Sequence, residues 1–414
     1  MKRKKKAKKP AKRKNSATFA SIKVVGIGGG GGNAVSRMSR DFMRGVEFIA
    51  INTDHQDLDH CAVRQKIYIG RNLTRGLGTG MNPDLGRQAA EENRSDIAEA
   101  LKGADLVFVT AGFGGGTGTG AAPIVAEAAK QSGALTIAVV TKPFNFEGSQ
   151  RERIAQEGLV KIKDKVDALI VVSNDKIFSI ISKDTPVIRA FDAIDDVLRN
   201  ALRGIVELIA TPGIINLDFA DVRNIVEDAG TAIAGVGVAS GPERAVNAVN
   251  AALSSPLLEV SAEGAKAVLL GISGGRDMRM NEINDAAKMV SQIADPGARI
   301  IFGAYYDRSL RPKQMKVTVI ATGFNGIHPN SLFGDQSSLS RSSLSIGGMS
   351  GVSYKGKADF ADLKKGTSTA KTHVGLAKKD EDLEKREEAE PKDDAKKKES
   401  DFWDIPTFLR KKRK

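Results

Sequence analysis

Two glycine-rich stretches and one pair of aspartates carry the residue types from which a reaction could be built. Gly26 to Asn33 reads GIGGGGGN and Gly114 to Gly120 reads GGGTGTG. Glycine lets a backbone approach a phosphate, and free N–H groups at a helix start supply the donors. Neither stretch ends in the Gly-Lys-Ser/Thr of the usual phosphate loop. Charge must then be met by amides, by the Thr117 and Thr119 hydroxyls and by a bound Mg²⁺, which is expected where phosphoryl groups are transferred. The aspartates are Asp218 and Asp221 in NLDFADV. Three apart, they can face one side, and two plain roles stay open: an N-cap for the following helix, or a metal ligand pair.

The first loop taken alone also fits a dinucleotide fingerprint, with Gly26, Gly28 and Gly31 in place and Asp54 ending the next strand, where a ribose ligand could sit. A structural turn needs one or two glycines and not six. The second loop decides between these readings, because it too lies between a strand (DLVFVTAG) and a helix (AAPIV). Two loops converging on one crevice suit a triphosphate, gripped from both sides. A third segment, RGLGTGMNP at Arg75 to Pro83, could close over the terminal phosphate. His55, His60 and Cys61 cluster with three aspartates in TDHQDLDHC, but the spacing matches no zinc pattern. No Ser/His/Asp set stands out among four histidines.

These loops need a sheet to hold them. ASIKVVGIG, VEFIAINTD, ADLVFVTAG, GALTIAVVTKP and VDALIVVSN read as strands, and the helix AAPIVAEAAKQSG has Pro123 suited to a first turn and Gly133 to a stop. The alternation predicts an α/β, doubly wound, mostly parallel sheet. From Pro186 to Ile209 apolar residues recur at three and four, giving a long central helix ended by TPG. A second, smaller α/β domain follows, with helices ERAVNAVNAALSS and MNEINDAAKMVSQIA and strands AKAVLLGIS, ARIIFGAYYD and MKVTVIATGF. Past Phe324 a Ser/Gly-rich and then densely charged stretch predicts a disordered C-terminal linker, and DFWDIPTFL then restores hydrophobicity as a docking peptide.

Composition sets the outer bounds. The 414 residues are enough for two or three domains. The net charge is +13, but ten of residues 1–14 and all five of 410–414 are Lys or Arg, and without those fifteen the remainder carries −2. Basicity is therefore two terminal tags, which argues against nucleic-acid binding by the body. A single cysteine, no apolar run after the basic start and no stretch near the ~20 residues of a membrane span make the cytoplasm the expected location.

GGGTGTGAAP together with NLDFADV resembles the tubulin-related GTPases of bacterial cell division, the FtsZ family. The resemblance covers about Ser21 to Phe324 and resumes at DIPTFL. It implies that Gly29, Gly30, Gly31, Gly32 and Asn33, with Gly115, Gly116, Thr117, Gly118 and Thr119, hold phosphates. Glu147 and Arg151 would contact the ribose and the nucleotide edge; as a plain alternative they form an i,i+4 pair. Asn174 and Asp195 would read guanine, with Phe191 against the ring. A carboxylate accepts from guanine N1–H and N2–H₂ together, which adenine cannot offer. Asp218 and Asp221, with Asn216, would polarise the water that attacks the γ-phosphate. The cofactors implied are GTP/GDP and Mg²⁺, the metal carried mainly by the phosphates.

The implied division is a basic disordered arm at 1–20, a GTP-binding domain at 21–185, the central helix at 186–211, a domain carrying the catalytic loop at 212–324, a linker at 325–400 and a docking peptide at 401–414. A helix of ~24 residues is ~36 Å long, so aspartates beyond its end lie far from the nucleotide of their own subunit. They can act only on a neighbour's, in a head-to-tail contact that does not close and so builds a filament. The resemblance adds a division ring at midcell, with membrane-tethering adaptors gripping Asp404, Ile405, Pro406, Phe408 and Leu409. Three departures stand out: the long basic arm, Met81 where a small residue is expected, and Trp403 before DIPTFL. The rival readings are a dinucleotide-dependent oxidoreductase using Asp54 and a nucleotide-binding scaffold without hydrolysis.

Overall fold

The apolar runs become strands buried along most of their length, which requires cover on both faces of the sheet. The computed structural model describes residues 20–41, 45–182, 184–211, 213–254 and 262–324, all within one unit of the chain. The arm up to residue 19, the linker at 325–400 and the docking peptide at 401–414 lie outside the described residues, as do Asp404, Ile405, Pro406, Phe408 and Leu409.

The chain runs β1 (Ile22–Ile27), α1 (Gly28–Asp41), β2 (Val46–Asn52), α2 (His55–His60), β3 (Gln65–Tyr68), α3 (Arg71–Thr74), α4 (Pro83–Glu92) and α5 (Arg94–Leu101). It continues through β4 (Leu106–Gly112), α6 (Thr117–Gln131), β5 (Leu135–Lys142), α7 (Ser149–Lys163), β6 (Ala168–Ser173) and the 24-residue α8 (Val187–Ala210). Then come α9 (Phe219–Val226), β7 (Gly230–Ser240), α10 (Arg244–Leu253), β8 (Ala267–Gly274), α11 (Met280–Ile293), β9 (Arg299–Tyr306) and β10 (Gln314–Thr322).

The strands form one sheet in the order β3-β2-β1-β4-β5-β6-β7-β10-β8-β9. All neighbours from β3 to β6 are parallel, whereas β10 is antiparallel to both β7 and β8. This is the doubly wound, mostly parallel α/β sheet that the alternation predicts, with a smaller α/β part beyond α8. Val24 of β1 joins a core that includes Met38, Leu198, Leu202 and Ile205, while Val25 and Ile27 join another with Ala122, Val125 and Leu159. A third core packs Val268, Leu270 and Val317 under α10 and α11. Among the described residues no helix is long and apolar enough to cross a membrane.

Three local readings change. α1 starts at Gly28, so the first glycine stretch is the opening turns of the helix and not a loop before it. α6 likewise starts at Thr117, which places Pro123 inside the helix instead of in its first turn. Sequence reasoning also misses β7, whose glycines dilute the apolar pattern. They are required there because a Cβ on Gly235 would collide with Ala252 O and one on Gly237 with Ala248 O, so α10 packs directly on the strand's backbone.

Candidate nucleotide site

In an open parallel sheet a ligand crevice forms where the strand order reverses, outside the carboxyl ends of the strands. Here that point lies between β1 and β4, whose ends are in register, Ile27 beside Ala111. Each strand leads into a glycine-rich helix start, so the two stretches of the sequence meet across one cleft of about 410 Å³.

The glycines there do different jobs. Gly28 has φ +68°, and a Cβ on it would stand 2.9 Å from Gly118 N. A Cβ on Gly31 would strike Thr110 O, and one on Gly118 would come within 2.6 Å of Gly112 O. These three let the helix starts close on each other and on the strand ends. Gly115 has nothing within 4 Å of its Cβ position and lines the cleft, which is what a cradle for a ligand requires. Gly116 is the N-cap of α6 and supplies no side-chain cap, so first-turn N–H groups stay available to an anion.

A hydroxyl junction ties three segments together behind this cradle. Thr117 Oγ1 lies 2.7 Å from Thr53 Oγ1, after β2, and 3.2 Å from Thr79 Oγ1 in the Arg75–Pro83 segment. All three threonines are buried. Leu77, Gly78, Thr79, Gly80 and Met81 form part of the cleft wall, and Met81 stands in the left-handed region at φ +65°.

The far end of the cleft is polar and aromatic. Asn174 follows β6, while Phe191 and Asp195 lie in the first two turns or so of α8. The Phe191 ring meets Phe144 edge to face, 5.8 Å between centroids. Glu147 and Arg151 form an ion pair at 3.0 Å and both line the cleft, so the plain i,i+4 pairing and a place at the site coexist. Arg37 of α1, which sequence reasoning missed, reaches the same wall and pairs with Asp192 and Asp195 at 3.0 and 2.5 Å. Its position one helical turn past Asn33 was a signal for the shared face of α1, though not for its carboxylate partners. Burial pushes the Asp195 carboxyl up to about 6 against the pull of Arg37, with Asp192 and Asp196 adding to the rise.

Whether these residues fit a nucleotide is tested by what they leave unmet. Asn33 Nδ2 and Asn174 Oδ1 are buried without a hydrogen-bond partner, and both residues line this cleft beside Asp195, whose Oδ2 has the Arg37 ion pair. Buried polar atoms are normally paired. Two such atoms and a buried carboxylate, on the same cleft as the helix-start amides, fit a polar base joined to phosphates. No group of three His, Cys, Asp or Glu among the described residues could hold a metal ion.

The structure thus brings together Gly29, Gly30, Gly31, Asn33, Gly115, Gly116, Thr117, Gly118, Glu147, Arg151, Asn174, Phe191 and Asp195. Gly32 and Thr119 are not on the cleft wall. Gly32 O accepts from Cys61 Sγ at 3.2 Å, and Thr119 Oγ1 accepts from Gly114 N–H at 3.0 Å, closing the loop on itself. Asp54 lines the cleft while its carboxylate caps α2 through Asp57 N–H at 3.1 Å. Asn216, Asp218 and Asp221 follow the opposite end of α8 and take no part in the cleft. Asn216 Oδ1 accepts from Gly213 N–H at 2.6 Å, and Asp218 and Asn216 are exposed.

A parallel sheet with two glycine-rich helix starts at its switch point, and a polar pocket beyond them, defines a nucleotide-binding α/β protein. The family model described as Tubulin/FtsZ family, GTPase domain matches residues 21–182, and that of the FtsZ family, C-terminal domain, matches 230–325. An FtsZ of M. jannaschii, solved as an empty dimer, is 45% identical over 74% of this chain and 89% of its own, with a TM-score of 0.69. CetZ2 from Haloferax volcanii, solved as a GTPγS-bound protofilament, shares 23% identity over 76% of this chain and 96% of its own at a TM-score of 0.64, a likeness of fold. The chain belongs to the FtsZ/tubulin family and carries that family's GTPase domain.

Proposed function

We propose that this chain hydrolyses GTP as a head-to-tail polymer, each subunit completing its neighbour's site with Asn216, Asp218 and Asp221. One observation carries the reading. The cleft gathers around the N-terminal end of α8, while the two aspartates follow its C-terminal end and line no part of the cleft. Leu198 is the last α8 residue on the cleft wall, and at ~1.5 Å per residue the remaining stretch to Ala210 spans ~18 Å, too far for those carboxylates to reach a phosphate bound in their own subunit. In a neighbour stacked end to end, the exposed Asp218 would meet the open phosphate end, where two carboxylates suffice to orient a water for in-line attack. The dimer in which the FtsZ of M. jannaschii was solved, with the protofilament of CetZ2, supports self-association.

Charge on the triphosphate would be met by the helix-start amides of α1 and α6, and Mg²⁺ would arrive on the phosphates instead of in a protein-built site. The same reading makes the filament the division ring, cytoplasmic at midcell and tethered to the membrane by adaptors holding residues 404–409. Phosphate release measured against protein concentration tests the core of it. Turnover per subunit should rise steeply as assembly sets in, and turnover independent of concentration would sink the shared site.

A further inference from the structure

Arg37 Nη1 donates to Asp192 Oδ1 at 3.0 Å, and its Nη2 lies 2.5 Å from Asp195 Oδ2. The guanidinium therefore spans two carboxylates of α8 from a neighbouring helix, with its side chain only 14% exposed. The contact to Asp195 is an ion pair to one carboxylate oxygen, and each carboxylate oxygen has more than one acceptor site. We propose that Arg37 is a positioning residue for base recognition, holding the Asp195 carboxylate in place and charged at the cleft wall. The inference rests on the reading that Asp195 meets the guanine edge.

The need for such a partner follows from the surroundings. On its own helix Asp195 has Asp192 and Asp196 against it and Arg199 in its favour. From α1 it faces Arg37. Across the cleft stand Glu147 and Arg151, paired with each other, and the turn after β6 brings Asp175, which accepts from Asn145 N–H at 3.0 Å, and Lys176. Arg37 is the strongest attraction in this set, and burial still takes the carboxyl up to about 6. Without the guanidinium, burial and the two flanking aspartates would push the carboxyl higher still, toward its protonated form. A protonated carboxyl presents one donor and one acceptor, whereas guanine N1–H and N2–H₂ are both donors, so only the carboxylate matches.

The test is equilibrium binding of GDP, which presents the base without the γ-phosphate, to the full chain from pH about 5.5 to about 8.5. Affinity of the unaltered protein should fall about tenfold per pH unit below about 6. Arg37→Met should show the same fall displaced upward by about one unit or more, leaving it about twofold weaker at pH 7, about fivefold weaker at pH 6 and restored near pH 8.5. Recovery at the alkaline end excludes misfolding. Arg37→Lys, which keeps the charge and loses the fork, should lie between the two. Asp195→Asn should bind weakly and without this pH dependence. If Arg37→Met is unchanged, or weaker by one factor at every pH, while Asp195→Asn behaves as stated, the role of Arg37 is overturned alone. If Asp195→Asn binds GDP as tightly as the unaltered chain, the base assignment fails and the proposal falls with it.

Discussion

Asp218 Oδ1 accepts a hydrogen bond from Asp221 N–H at 2.9 Å, which makes the first aspartate of NLDFADV the N-cap of the helix that carries the second. One carboxylate thus holds the other's helix start, and the cap and catalytic readings are compatible in a single residue. Asparagine caps as well as aspartate, while alanine does not. Asp218→Ala should therefore cost about 1 kcal/mol in stability and Asp218→Asn close to none. Both should hydrolyse GTP slowly while binding GDP like the unaltered chain. Urea unfolding beside phosphate release separates the two effects. A normal hydrolysis rate in Asp218→Asn would remove the charge from the mechanism.

Gly115 and Gly120 offer a second contrast, between a glycine that leaves room for a ligand and one that leaves room for a helix. A Cβ on Gly115 meets nothing within 4 Å and would project from the cleft wall. A Cβ on Gly120 would run into Pro83 O and stand 2.7 Å from Arg87 N, forcing α4 away from α6. Gly115→Ala should leave the unfolding midpoint in place and weaken nucleotide binding. Gly120→Ala should cost about 1–3 kcal/mol by overpacking. It should also weaken GTP binding, because α4 continues directly from the segment that carries Thr79 and Met81. Equal stability loss in the two variants would contradict this division of labour.

Much of the cleft is legible in the sequence because glycine runs between strand and helix announce a close backbone approach before any contact is seen. The parallel character of the sheet could also be anticipated, since buried parallel strands leave uninterrupted apolar runs such as LVFVTAG and LTIAVV. Arg37 was not legible in the same way. Nothing local marks an arginine on a helix as the partner of carboxylates 155 and 158 residues further on; only the packing of α1 against α8 creates that pair. The start of α1 was obscured for the opposite reason. Five successive glycines have poor helix propensity, and the helix forms through them because α1 is held against β1 and β4. β7 hides behind glycines that α10 requires.

Acid should unpick a cluster at the other end of α8. Lys316 Nζ donates to Glu207 Oε2 and to Asp307 Oδ2, each at 2.8 Å, joining α8 to β10 and the turn after β9. Burial pushes Asp307 up, but its hydrogen bonds from Lys316 and Ser309 outweigh burial and bring the carboxyl down to about 2. Its ordinary value is 3.8, so the folded state binds the proton less readily than the unfolded chain. The stability Asp307 contributes is then present above pH 3.8 and is lost as pH falls toward 2. Asp307→Asn should be less stable than the unaltered chain at neutral pH, and the gap should narrow through that window. Denaturant midpoints at a series of pH values check it; a gap that stays constant down to pH 2 would assign the effect to packing instead of charge.

Division of one active site between two subunits makes the most direct prediction. Asp195→Asn has an impaired base pocket and intact aspartates; Asp218→Asn has an intact pocket and an impaired pair. Each alone should turn over GTP slowly. Random head-to-tail mixing of equal amounts gives four kinds of junction, and one of them places a sound pocket against sound aspartates, so the mixture should recover about a quarter of the unaltered rate. The gain should appear only above the concentration at which light scattering reports assembly, because the productive junction exists only between subunits. A site contained within one chain predicts something different: a mixture whose rate is the average of two slow enzymes at every concentration.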